Sequence, residues 1–217
     1  CPKNRQTLFF SATFEDRIRN LSKRYMNNPI KISAIKHVDS TKLEQTYYDN
    51  LSNKKLSLLI HLLKGENVGQ SMIFCNTRRT TDFVVKNLKY NGIKSSSIHG
   101  GLTQNKRTGV LQSFEDKKIL ALVCTDVAAR GLHIDNVSHV YNYEIPNDTK
   151  DYVHRIGRTA RAGEEGKAIN LLCNTDYDNF SRMTRDYPDF EIKREQTPTL
   201  SYVKAVKVDN EFQGKRS

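Results

Sequence analysis

Hydrophobic and polar positions along this chain follow two alternating periods. Short β-rich runs occur at 46–48, 71–74, 95–98, 119–124, 137–143 and 167–172. Between them apolar residues recur at helical spacing: Leu56, Leu59, Ile60 and Leu63, then Thr80, Phe83, Val84 and Leu88, then Val110, Leu111 and Phe114. Side chains three or four positions apart share one face of a helix, whereas a strand changes face at every residue. Strands alternating with helices in this way predict βαβ units, a parallel sheet, and right-handed crossovers that set helices on both faces. Ligands of such sheets gather at the carboxyl ends of the strands, so the chemistry is expected in the loops that follow them.

The first stretch reads differently. Leu8, Phe9 and Phe10 give a strand signal, Ser11-Ala12-Thr13 a turn, and Phe14, Ile18, Leu21 and Tyr25 a helical stripe, with a second apolar run at Ile30-Lys31-Ile32. Segment 34–43 is polar and aperiodic. The expected organisation is a strand–helix–strand unit over 1–33, a linker over 34–43, a main α/β domain over 44–190, and an extension over 191–217 that either packs as a final strand or hangs loose. An exposed apolar strand at 8–10 is expected to pair with another chain. The chain opens on Cys1-Pro2-Lys3 with no apolar leader, and a fragment or processed chain is expected.

Charge narrows the partners. Lys and Arg number 35 against 24 Asp and Glu, a net +11 over 217 residues. No apolar run approaches the ~18 residues of a membrane-spanning helix. The positive excess favours nucleic acid, ahead of an anionic membrane surface, although solvated surface charge alone would produce it too. Cys1, Cys75, Cys124 and Cys173 form no C-x-x-C pair, which argues against a zinc finger. The last three end apolar runs and read as small hydrophobes in a reducing compartment.

The sharpest chemical feature is His154-Arg155-Ile156-Gly157-Arg158-Thr159-Ala160-Arg161. Arg155, Arg158 and Arg161 are one helical turn apart, and guanidinium forks match phosphate oxygens. Alone, the run reads as a solvated basic face. Thr125-Asp126-Val127-Ala128-Ala129-Arg130-Gly131 directly follows the run 119–124. There Thr125 or Asp126 can cap a short helix and Gly131 can end it, a layout suited to phosphate. His99-Gly100-Gly101, with Gln104 and Arg107, follows another strand, and Asn76-Thr77-Arg78-Arg79 a third. Three successive strand-end loops thus carry phosphate-seeking groups. Arg78, Arg107, Arg130, Arg155, Arg158 and Arg161 are all expected on one sheet edge.

Together these residues resemble the DEAD-box RNA helicases, in particular their second RecA-like domain, along the chain to about residue 178. Ser11-Ala12-Thr13 resembles motif III of a first RecA-like domain, the segment 71–77 with Phe74 motif IV, Gln104-x-x-Arg107 motif IVa, 125–131 motif V and 154–161 motif VI. The implied fold is a RecA-like parallel α/β sheet preceded by a strand–helix–strand remnant of another RecA-like domain. The resemblance implies that Arg158 and Arg161 act catalytically as arginine fingers on ATP, with Gly131 and His133 near the nucleotide ribose. It implies RNA-backbone contacts from Asn76, Thr77, Arg78, Gly100, Gln104, Arg107 and Thr125. It implies interdomain coupling through Ser11, Thr13, His154 and Arg155, with Phe74 packed beneath the motif VI arginines. Asp126 and Arg130 would organise the motif V loop.

Two positions depart from the family pattern. His133 stands where an Asp usually meets the ribose, the nearest acid being Asp135. Ala160 replaces a usual Gly, read as a mild change. The chain holds neither a G-x-x-x-x-G-K-[ST] string nor an Asp-Glu-Ala-Asp string, so it offers the finger side of an ATP site and no Mg²⁺ ligands. The implied protein is an ATP- and Mg²⁺-dependent cytoplasmic RNA helicase, of which this chain is an inactive half. Other readings are a non-enzymatic RNA-binding module of the same fold, a DNA-acting helicase, and a peripheral membrane protein; the last lacks a basic amphipathic helix.

Overall fold

The computed structural model describes residues 2, 4–10, 16–32, 42–65, 68–132, 134, 137–161 and 164–207. The chain divides into two compact units, Cys1–Lys36 and His37–Ser217.

In the first unit the expected helix forms as α1 (Asp16–Tyr25), with the Ser22 hydroxyl donating to the Arg19 carbonyl at 2.8 Å. The two expected strands do not form. Residues 5–10 and 29–32 are irregular, and Leu8, Phe10, Ile30 and Ile32 are 66, 88, 88 and 89% exposed. An extended segment becomes a strand only by pairing its backbone N–H and C=O groups, and neither segment has a ladder partner among the described residues. Ser11 and Thr13 lie outside the described residues, as does most of the expected linker.

The second unit carries β1 (Leu43–Asp49), α2 (Lys55–Leu63), β2 (Ser71–Phe74), α3 (Arg78–Tyr90), β3 (Ser95–Ile98), α4 (Gln104–Glu115), β4 (Ala121–Cys124), α5 (Asp126–Ala129), β5 (His139–Asn142), α6 (Thr149–Ile156), β6 (Gly166–Leu172), α7 (Tyr177–Asp186) and β7 (Ile192–Glu195). The strands form one sheet in the order β3-β4-β2-β5-β6-β1-β7, and every ladder is parallel. This is the two-faced parallel architecture that the alternating periods predict.

Register decides which side chains meet. Ile73 pairs with Val123 and Tyr141, and Tyr141 with Ile169; these face the core shared with α2 and α3. Met72, Leu122 and Val140 face the opposite side, toward α4 and α5, while Ala168 on that side packs with α6 and α7. Phe74 is level with Cys124 and Asn142, and Ile98 with Cys124, so the loops after β2, β3, β4 and β5 leave one sheet edge together.

The sheet reaches further than the pattern suggests. Ile192–Glu195, expected in the extension, pairs with β1 from Gln45 to Tyr48. An edge strand reading Ile-Lys-Arg-Glu is largely solvated and carries no alternation to detect. Beyond it Leu200 and Val203 pack against the α2–α3 core, and buried Asn87 holds both backbone groups of Val206, accepting from its N at 2.7 Å and donating to its O at 3.0 Å. Among the described residues no helix is long and apolar enough to cross a membrane.

Candidate functional site

Arg155 organises the edge. It sits in the last turn of α6, whose N-cap Asp148 accepts from Lys150 N at 2.9 Å. Its side chain is fully buried, and all of its N–H groups are engaged. Nε donates to Asp126 Oδ1 (2.6 Å), Nη1 to Asn142 Oδ1 (3.1 Å) and Glu144 O (2.6 Å), and Nη2 to Asn76 Oδ1 (2.9 Å) and Asp126 Oδ2 (2.7 Å). The Phe74 ring lies 5.1 Å from the guanidinium carbon, beneath it as expected. A buried guanidinium is tolerable only when its charge is paired and every donor is satisfied, and both conditions hold. The side chain is buried within this unit and ties the loops after β2, β4 and β5 to α6.

The tie continues as a buried polar chain across the sheet. Asn142 Nδ2 donates to Asn170 Oδ1 (2.9 Å), Asn170 Nδ2 to Thr46 O (3.0 Å) and Tyr152 Oη (3.2 Å), and Tyr152 Oη to Gln45 Oε1 (2.9 Å). On the surface, Asp151 pairs with Arg130 and lies 3.8 Å from His154 Nδ1, so the end of α5 is strapped to α6. His154 remains half-buried at that strap.

The strand-end loops come together as the spacing suggested, with different tasks for some residues. Thr77 caps α3, its hydroxyl accepting from Thr80 N at 3.0 Å. Arg78 is exposed and lies across the glycine loop: a β-carbon at Gly100 would sit 2.9 Å from its Nη2. In that loop Gly101 N donates to His99 Nδ1 (3.1 Å), which leaves His99 Nε2 to donate to Asp82 Oδ1 (3.0 Å). Gln104 is exposed at the first turn of α4, while Arg107 reaches over to donate to Ala128 O at 2.8 Å. Thr125 is buried at the N-cap of α5 and makes no capping bond. Asn76 is braced from inside, its Nδ2 donating to Ile145 O (2.8 Å) and its Oδ1 accepting from Arg155 (2.9 Å).

Motif VI does not stay on that edge. α6 packs on β6 and β1, and the backbone that follows it, 158–160, arrives beside the residues that lead into β5 and β6. There Arg158 O accepts from Val137 N (3.1 Å) and Thr159 Oγ1 donates to Val137 O (2.5 Å). From this position the Arg158 guanidinium reaches back to the carbonyls of Leu132 (2.8 Å), Ile134 (3.3 Å) and Ala129 (3.3 Å), gripping the motif V loop. Arg161 is half-buried just beyond. Gly131 takes φ +75°, the left-handed conformation that suits glycine after a helix end. His133 and Asp135 lie outside the described residues.

Ala160 is not a mild replacement. Its φ is +52°, a conformation disfavoured by about 1–2 kcal/mol for a residue with a β-carbon. The neighbouring strand start explains why the loop is held there: a β-carbon at Gly166 would overlap Thr159 Oγ1 and lie 2.5 Å from Ala160 N.

The sequence reading missed Asn142, Glu144, Asp151 and Asn170. The signal for the two asparagines was a polar residue inside an otherwise apolar strand; the two acids carried none. Burial pushes the Cys75 and Cys124 thiols up, so neither is available as a nucleophile.

Comparison with known proteins decides the family. The model of the helicase conserved C-terminal domain matches residues 54–163. A solved C-terminal domain of the DEAD-box protein Dbp5 is 32% identical with a TM-score of 0.67, covering 72% of this chain and 91% of that one. The chain belongs to the DEAD-box helicase C-terminal domain family. Its sheet has the RecA-like fold of those domains. The DEAD-box ATP-dependent RNA helicase CshA of Geobacillus kaustophilus is 40% identical over 201 residues, covering 92% of this chain and 43% of the relative. S. cerevisiae Dbp5 bound to RNA and ADP BeF3 is 30% identical with a TM-score of 0.76, covering 90% of this chain and 52% of that one. The chain spans less than half the length of the curated relatives it matches.

Proposed function

We propose that this chain is the second half of an ATP- and Mg²⁺-dependent RNA helicase that remodels RNA as two RecA-like domains close. Arg78, Gly100, Gln104 and Arg107, with the caps Thr77 and Thr125, hold the RNA backbone at the edge after β2, β3 and β4. Arg158 and Arg161 approach the nucleotide, with Gly131 beside it, and the Mg²⁺ ligands belong to a first RecA-like domain, of which residues 1–33 with Ser11 and Thr13 are the end. His154 couples the two domains. The protein works on RNA in the cytoplasm, and backbone contacts make it largely blind to sequence.

One observation carries this reading: Arg155 bolts two of the phosphate-seeking loops, those after β2 and β4, together with the loop after β5, to motif VI, so that RNA-side and nucleotide-side groups are held by one buried side chain. Contacts to about three phosphates predict a slope near −2 in log affinity against log salt, roughly a 20-fold loss between about 50 and about 200 mM. RNA binding by this chain that is flat over that range would overturn the reading. In the full-length protein R161A is expected to lower kcat about 1,000-fold or more, as for other arginine fingers. The chain alone is expected to hydrolyse no ATP. Leu8 and Phe10, both largely exposed, make self-association the partner reading for the first unit; light scattering of F10D against the parent tests it.

A further inference from the structure

We propose that Glu144, on the loop after β5, is a positioning residue for the RNA-binding edge; this rests on the RNA reading above. Its carboxylate spans the entry to α3. Oε2 accepts from Asn76 N at 2.7 Å, and Oε1 accepts from Thr80 Oγ1 at 3.2 Å. Those two groups bracket the N-cap Thr77, whose hydroxyl lies 2.9 Å from Thr80 Oγ1 and accepts from Thr80 N. The main-chain carbonyl of Glu144 accepts from Arg155 Nη1 at 2.6 Å. One residue therefore sets the direction in which α3 leaves the sheet and ties that direction to the buried arginine. Arg78, the first residue of α3, is the group so aimed, and it lies against Gly100 of the next loop.

The charge makes the assignment testable by sign. A carboxylate is favourable beside the N-terminus of a helix, but it repels the phosphates that the edge is built to hold. If Glu144 acted only through its charge, any neutral replacement would tighten RNA binding. If it positions α3, the outcome depends on hydrogen bonding. Ala leaves Asn76 N without its acceptor and frees Thr80. Gln keeps an oxygen for Asn76 N and offers an N–H to the Thr80 hydroxyl, which can accept as well as donate.

The experiment measures binding of a fluorescein-labelled single-stranded oligouridylate to the 217-residue chain and to its E144A, E144Q and R78A variants, with amide exchange of residues 76–81 in each free protein. E144A is expected to bind about tenfold more weakly, the effect of losing a charge-assisted hydrogen bond, and to exchange faster at 76–81. E144Q is expected to restore both, binding at least as tightly as the parent. E144A binding as tightly as E144Q, or without faster exchange at 76–81, overturns the proposal while a weakened R78A keeps the RNA reading. An R78A variant that binds RNA like the parent overturns both.

Discussion

Arg155 and Asp126 meet fork to fork, Nε and Nη2 lying 2.6 and 2.7 Å from the two carboxylate oxygens, with Phe74 closing the guanidinium face. The pair joins α6 to the start of α5 across a buried boundary. Its strength comes from complete satisfaction: three further acceptors on β5, its following loop and the loop after β2 take the remaining donors. Removing one partner strands the rest, and that is where the stability cost arises.

R155A is accordingly expected to destabilise the domain by about 3–5 kcal/mol. R155K keeps the charge but presents a point donor in place of a fork, so it should fall between R155A and the parent. Urea unfolding measures both. A midpoint for R155A within error of the parent would show that the network contributes nothing.

The tight approach of β6 to motif VI yields a pair of opposite effects. G166A forces a β-carbon into Thr159 and the Ala160 backbone and should cost about 1–3 kcal/mol, as overpacking does. A160G relieves the residue at φ +52° and should gain up to about 1 kcal/mol. Thermal melts of the two variants should move in opposite directions; a loss of stability in A160G would mean that Ala160 is not strained.

His139 opens β5 with its ring stacked 5.9 Å from Tyr141. Burial, with Lys167 contributing, holds its pKa below the ordinary histidine value of 6.5. The unfolded chain then binds the extra proton more readily, so stability from this residue is present above about pH 6.5 and is lost as pH falls through the window between the unfolded value and the lower folded one. Melting temperature should drop between about pH 7 and pH 5 in the parent, and less in H139F. Equal slopes would remove His139 from the acid response.

Arg158 holds the motif V loop through the carbonyls of Ala129, Leu132 and Ile134. In R158A the amides of 130–132 should exchange faster, while those of β4 stay protected. Unchanged exchange in that loop would assign Arg158 no part in holding it.

Much of this was written locally. The helices α2 to α4 are legible because burial of one face imposes a period on neighbouring residues, and the central strands because burial of both faces leaves short, nearly continuous apolar runs, patterns that survive in the sequence alone. The loop chemistry is legible for the same reason: a glycine pair, a capping threonine and arginines at turn spacing are short-range patterns. The resemblance to DEAD-box helicases rests on them. The edge strand β7 is not legible, because solvent on its outer side erases alternation. Nor are the flanks of α1, whose apolar residues look like strands but pair with nothing among the described residues.

What tertiary structure alone decided is the division of labour among the arginines. Arg155, Arg158 and Arg161 are equivalent by type and spacing, and nothing local says which is buried. Arg155 turns inward because its acceptors arrive from positions 79, 29, 13 and 11 residues away, brought level by the register of β2, β4 and β5. The same assembly turns Asn76 into a brace and puts Ala160 into a left-handed backbone against Gly166. Period and spacing are properties of neighbours in the chain, whereas the satisfaction of a buried charge is a property of neighbours in space.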